Sequence, residues 1–185
     1  DYPQTLAFVL AIHADIPADP PKEPFSKPGA VLWSHTFAPG TFAARQYAVM
    51  QDGFEGWFEP GEPPFYEPQG DLVCWQYNFP VGANAFIQEG SPAAPVVYWL
   101  EVQALYPVHD LLTQYGWKTS TNHWNDAAVY ATGFAPYGGT GWNMLLYPDG
   151  HPLSGKENDL AFVINGAKNE RGLDFGDAPD PSNPT

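Results

Sequence analysis

From Tyr98 to Ala104 the chain alternates residue by residue. Tyr98, Leu100, Val102 and Ala104 fall on one side, and Trp99, Glu101 and Gln103 on the other. A strand turns successive side chains to opposite faces, so a period of two predicts a strand with one face buried. Val73, Trp75, Tyr77 and Phe79 repeat the pattern opposite Cys74, Gln76 and Asn78. Further runs with strand character are Leu6–His13, Val31–Phe37, Phe42–Met50, Phe54–Phe58, Trp142–Tyr147 and Leu160–Ile164. The 21 prolines and 18 glycines are spread along nearly the whole length, which leaves little room for long helices. Val108–Tyr115 alone reads as a helical turn. Many short strands punctuated by turns predict an all-β fold, a mostly antiparallel β-sandwich or jelly roll. Trp75, Tyr77, Tyr98, Leu100, Val102, Phe162 and Ile164 are then expected on the buried inner faces of two sheets.

Two proline-rich stretches, Pro17–Pro28 and Glu59–Gly70, read as long loops, because proline cannot donate to a ladder of backbone hydrogen bonds. After residue 167 the hydrophobic content drops. The chain therefore divides into a β domain, 1–167, and an extended, acidic, proline-rich tail or inter-domain linker, 168–185. Leu173 and Phe175 are large apolar side chains two residues apart in that tail. They would share one face of an extended segment and are the expected anchors for assembly. Docked on an adjacent copy, such a tail makes a head-to-tail contact, and its repetition gives a ring or a filament.

Charge narrows the partners. The chain carries 21 acidic against 7 basic residues, a net charge of −14. Nucleic acid would need a Lys or Arg for each phosphate contact, and anionic lipid needs basic clusters; neither supply is present. No apolar run approaches the length of a membrane span. Cys74 is the sole cysteine, so the chain has no internal disulfide framework and no cysteine-based zinc site. Within Leu72-Val73-Cys74-Trp75 it reads as a small hydrophobe rather than a reactive thiol.

The densest polar and aromatic cluster is Trp117–Asp126. One reading is a ligand shelf, with Trp117 or Trp124 stacking on a sugar or a neighbouring chain and Asn125 and Asp126 supplying hydrogen bonds. The plainer reading is a structured loop whose tryptophans complete the core. For metals, His13 and Asp15, His109 and Asp110, and His123 and Asp126 offer ligands, but no histidine pair has ligand spacing and no HExxH or EF-hand pattern occurs. Asp174, Asp177 and Asp180 could gather around calcium; such a run is more often a solvated acidic tail. No other cofactor is implied. No Gly-x-Ser-x-Gly elbow is present, and no spacing singles out a carboxylate pair, so no catalytic residue stands out.

Phe8–Pro20 (FVLAIHADIPADP), Pro28–Trp33 (PGAVLW), Val73–Phe79 (VCWQYNF), Tyr98–Ala104 (YWLEVQA), Gly116–Asp126 (GWKTSTNHWND) and Asp159–Ile164 (DLAFVI) follow in this order. Together they resemble an uncharacterised β-rich domain of large secreted bacterial surface proteins. In such proteins a motif like Leu173–Asp180 (LDFGDAPD) marks the junction to a following domain. The resemblance implies a secreted or cell-surface, multidomain setting, and it carries no catalytic residues. Further strands would precede Leu6 in such domains, so the expectation is either a processed fragment or another segment that supplies the missing sheet edge. The leading expectation is a non-enzymatic assembly module whose partners are its own copies or neighbouring domains. The second is a carbohydrate-binding module whose partners are glycans.

Overall fold

Residues 8–13 read Phe-Val-Leu-Ala-Ile-His, apolar on both faces of a strand, and such a strand is stable only when covered on both sides. The computed structural model, which describes residues 5–49, 55–106, 115–120, 122–123, 125–131 and 141–166, places this run at the centre. It lies in β1 (Ala7–Ile16), paired with β2 (Lys27–Phe37) on one side and β7 (Tyr98–Leu105) on the other. All six residues of the run are buried. The remaining strands are β3 (Ala43–Val49), β4 (Glu55–Glu59), β5 (Phe65–Asp71), β6 (Val73–Asn78), β8 (Thr119–Ser120), β9 (Val129–Tyr130), β10 (Asn143–Met144) and β11 (Asp159–Leu160). They pair two by two as β3–β6, β4–β5, β8–β11 and β9–β10. Every pairing is antiparallel, so the fold is all-β.

Register decides which side chains meet. Phe8, Leu10 and Ile12 stand opposite Ala104, Val102 and Leu100 of β7 and opposite Phe37, His35 and Trp33 of β2. The β3–β6 pair lies over this face and contributes Ala44 and Tyr77, with Phe42 and Phe79 beside them. Phe8 is enclosed by the rings of Phe42, Tyr77, Phe79 and Tyr115, with centroids 5.0–5.3 Å away. Two packed sheets with aromatic side chains interdigitating between them make the sandwich.

The opposite face of β1 is covered by a lattice of short strands. Lys118 accepts from Ala161, Asn158 from Ala128, Ala128 from Leu145, and Lys156 from Tyr147, all through the backbone at 2.7–2.9 Å. Ala127, Leu145, Tyr147 and Asn158 are buried within it. Two contacts tie the lattice to the central sheet: the Ser26 hydroxyl donates to Asp126, and the Trp142 ring meets His13 edge-on. The β4–β5 hairpin joins from the side. Gly116 lies so close to Trp57 that a methyl group there would stand 2.5 Å from the indole. Lys118 pairs with Glu55 alongside.

Several expected core positions are placed differently. Tyr77 and Val102 do pack against the core cluster, but Trp75 is 38% exposed. Trp75 pairs with Gln46, past the Tyr77 end of the β3–β6 pair that covers the core. Phe162 and Ile164 are 52% and 45% exposed, because β11 ends at Leu160 and the chain leaves the lattice. Tyr98, Leu100, Glu101 and Gln103 are all half-buried, since β7 is covered on both faces. The stretch Glu59–Gly70, read as a loop, contains β5. A bulge sets Pro68 out of register: Trp57 pairs with Glu67 and Glu55 with Asp71, so one residue of β4 spans three of β5. The helical turn read at Val108–Tyr115 lies almost wholly outside the described residues.

Candidate functional site

On the lattice-facing side of the central sheet, β1 carries Val9, Ala11, His13 and Asp15 opposite Gln103, Glu101, Trp99 and their neighbours on β7. Polar groups in such a place must find partners. His13 is fully buried; its Nε2 lies 2.7 Å from a Glu101 oxygen and its Nδ1 3.0 Å from the Gly29 carbonyl. The Trp99 indole donates to Asp15 at 2.7 Å. Both nitrogens of His13 face acceptors, which the doubly protonated ring satisfies by donating twice. The Glu101 hydrogen bond, aided by Gly29 and by the carboxylate charge, raises the His13 pKa above its ordinary value, against the opposing effect of burial. With both nitrogens committed, the ring clamps β1, β2 and β7 together.

The residues singled out in Trp117–Asp126 have separate partners. Trp117 donates its indole N–H to Ala161 O at 2.7 Å and meets the Phe162 ring edge-on. Asp126 accepts from Ser26 on the other side of the lattice. The described contacts of the two share no residue. Asn125 is exposed and adopts φ +59°, a left-handed conformation that asparagine tolerates better than most residues. Trp124 lies outside the described residues, as do Leu173, Phe175 and the aspartates of the tail.

Asn125→Ala should therefore lower stability by about 1–2 kcal/mol, and Asn125→Gly should leave it nearly unchanged. Thermal melts of the three proteins test this. An alanine variant as stable as the parent would mean that the turn does not need that conformation.

His123, also exposed, lies 3.0 Å from Glu157 and 3.4 Å from Asp159. Among the described residues, no group of three His, Cys, Asp or Glu side chains is arranged to hold a metal ion. Cys74 is half-buried; burial first, then the Glu55 charge, raise its thiol pKa and keep it in the unreactive form. An open cleft of about 410 Å³ lies between the β4–β5 turn and β9–β10, lined by Pro60, Gly61, Glu62, Tyr130 and Asn143.

Residues 2–165 match the model of a family described as a domain of unknown function, DUF7901. The chain belongs to this family. No curated protein and no solved structure matches it. The DUF7901 match spans β1 to β11, and the tail 168–185 lies beyond it.

Within the DUF7901 domain, the His13–Glu101 clamp was not singled out as a pair by the sequence. A signal exists: His13 and Asp15 interrupt an apolar run, and Glu101 has the parity of the polar face of β7. The two residues are 88 positions apart, and only the β1–β7 register brings them together. Asn143 lies in the run Trp142–Tyr147 that reads as a strand, but nothing in the sequence pairs it with Tyr130, because each lies in a strand of two residues.

Proposed function

We propose that this DUF7901 domain is a non-enzymatic structural module of a secreted or cell-surface protein, assembling through the open edge of β2 with an adjacent copy. The observation that carries the reading is the state of that edge. β2 is 11 residues long and pairs with β1 on one side, and no described strand pairs with its other side. Natural edge strands are blunted by charge, proline or covering elements. Here Lys27 and Pro28 guard the first end and register shifts bulge the strand as far as Leu32, while Trp33–Phe37 is in regular register and contains no charged residue and no proline. Val31 and Leu32 are 40% and 48% exposed.

An added strand would satisfy the backbone of such an edge and cover these side chains. β2 on β2 is a self-complementary contact and closes a dimer, whereas the tail on a neighbour propagates into a ring or filament. The acidic composition and the LDFGDAPD segment beyond the family match support an extracellular, multidomain setting.

Light scattering across a concentration series tests the reading on three proteins: the parent, Val31→Lys/Leu32→Lys, and a chain lacking Leu173–Thr185. The parent should form a larger species, and the double variant should be a monomer with the same circular-dichroism spectrum. Assembly lost only in the shortened chain would move the contact to Leu173 and Phe175. A parent that stays monomeric at every concentration would refute assembly.

A further inference from the structure

We propose that the open cleft between the β4–β5 turn and the β9–β10 pair is a binding site for a neutral saccharide. Its volume, about 410 Å³, lies in the range of small-ligand sites. Tyr130 and Asn143 are direct cross-strand partners, so their side chains leave the β9–β10 pair on one face, about 5 Å apart at Cβ. The half-buried Tyr130 ring offers an apolar face for the C–H groups of a pyranose and a hydroxyl for its rim. Asn143 donates through Nδ2 to Gly141 O at 3.0 Å, which holds the amide and leaves its oxygen and second N–H for ligand hydroxyls.

Across the cleft the Glu62 carboxylate adds acceptors, and Pro60 stiffens the turn that carries it. Charge selects the ligand class. Among the described lining residues Glu62 is the sole ionic group, and the whole chain is strongly acidic, so phosphate, sulfate and sugar acids meet repulsion there. A purely apolar ligand would strip water from Glu62 and Asn143 without replacing its hydrogen bonds. A ring with hydroxyls at its edge and C–H groups on its face meets both demands. The site is distinct from the Trp117 cluster and from the β2 edge, so the inference stands apart from the assembly reading.

The test is a glycan array probed with the biotinylated chain held on streptavidin tetramers, so that weak single contacts register. Neutral oligosaccharides should be bound in preference to their sialylated or sulfated counterparts. Tyr130→Ala and Asn143→Ala should each lower the signal at least tenfold, and Tyr130→Phe should retain most of it. If Tyr130→Ala does not fold, Asn143→Ala and Glu62→Gln, both at exposed positions, carry the comparison. The inference is overturned if no neutral glycan is bound, if acidic glycans are preferred, or if folded cleft variants bind as the parent does. Val31→Lys/Leu32→Lys should bind glycans like the parent, which separates the two proposals.

Discussion

Replacing Phe8 by alanine will destabilise the domain by about 3–5 kcal/mol, the cost of removing a fully buried aromatic side chain and leaving a cavity. Phe8 is fully buried, and the four rings that enclose it come from three separate stretches of the chain, Phe42, then Tyr77 with Phe79, and Tyr115. A void at that point strips contacts from β1, from β6 and from the segments on either side of them. The rings are too large to move into the space without distorting both sheets. Phe8→Leu keeps most of the volume and should cost clearly less. Urea unfolding followed by tryptophan fluorescence measures both. A Phe8→Ala loss below about 1 kcal/mol would mean that the two sheets are not held together at this point.

The second large effect is expected at the buried clamp. Glu101→Ala should cost about 3–5 kcal/mol, because it leaves His13 buried without its counter-charge. The same pair makes stability depend on pH. The His13 pKa is raised in the folded protein, first by the Glu101 hydrogen bond, whereas in the unfolded chain it sits near the ordinary 6.5. The folded state therefore holds this proton more tightly than the unfolded state. The contribution of the clamp is complete below pH 6.5 and is lost as pH rises through the raised folded value. Asp15 shares this face and is held by the Trp99 indole; Trp142, against the ring, does not titrate. Unfolding midpoints in urea between pH 5.5 and 8.5 should fall for the parent and change less for Glu101→Ala. Parallel curves would show that Glu101 does not hold the His13 proton.

The polar face of β1 also explains how the domain uses a sequence with so few charges. On its lattice-facing side Val9 and Ala11 share the interior with hydrogen-bonded polar groups, His13 with Glu101 and Gly29, and Asp15 with Trp99, while the buried Gln103 Oε1 has no hydrogen-bond partner among the described residues. Partners distant in the chain are specified there by hydrogen-bond geometry as well as by apolar area. A register slip of one residue on β7 would move Glu101 to the opposite face and leave the buried His13 with Gly29 alone.

Alternation, proline spacing and the sparse charge were enough, by themselves, to establish an all-β chain and to locate most of its longer strands. These are local properties, because a period of two and a missing backbone donor act on the residues that carry them. Other features depended on what lay across from each residue. Trp75 and Tyr77 share one face of β6, yet Tyr77 meets the core and Trp75 lies past its end, since only the overlap of the two sheets separates them. Phe162 and Ile164 look like core by type and are exposed because β11 stops at Leu160. Proline argued against β5, and a bulge that removes Pro68 from the ladder admitted it. Trp117 and Asp126, close in sequence, went to different partners, while Tyr130 and Asn143 came together across a ribbon two residues long. Burial, pairing and the shape of a cleft are relations between distant segments, and register and packing alone set them.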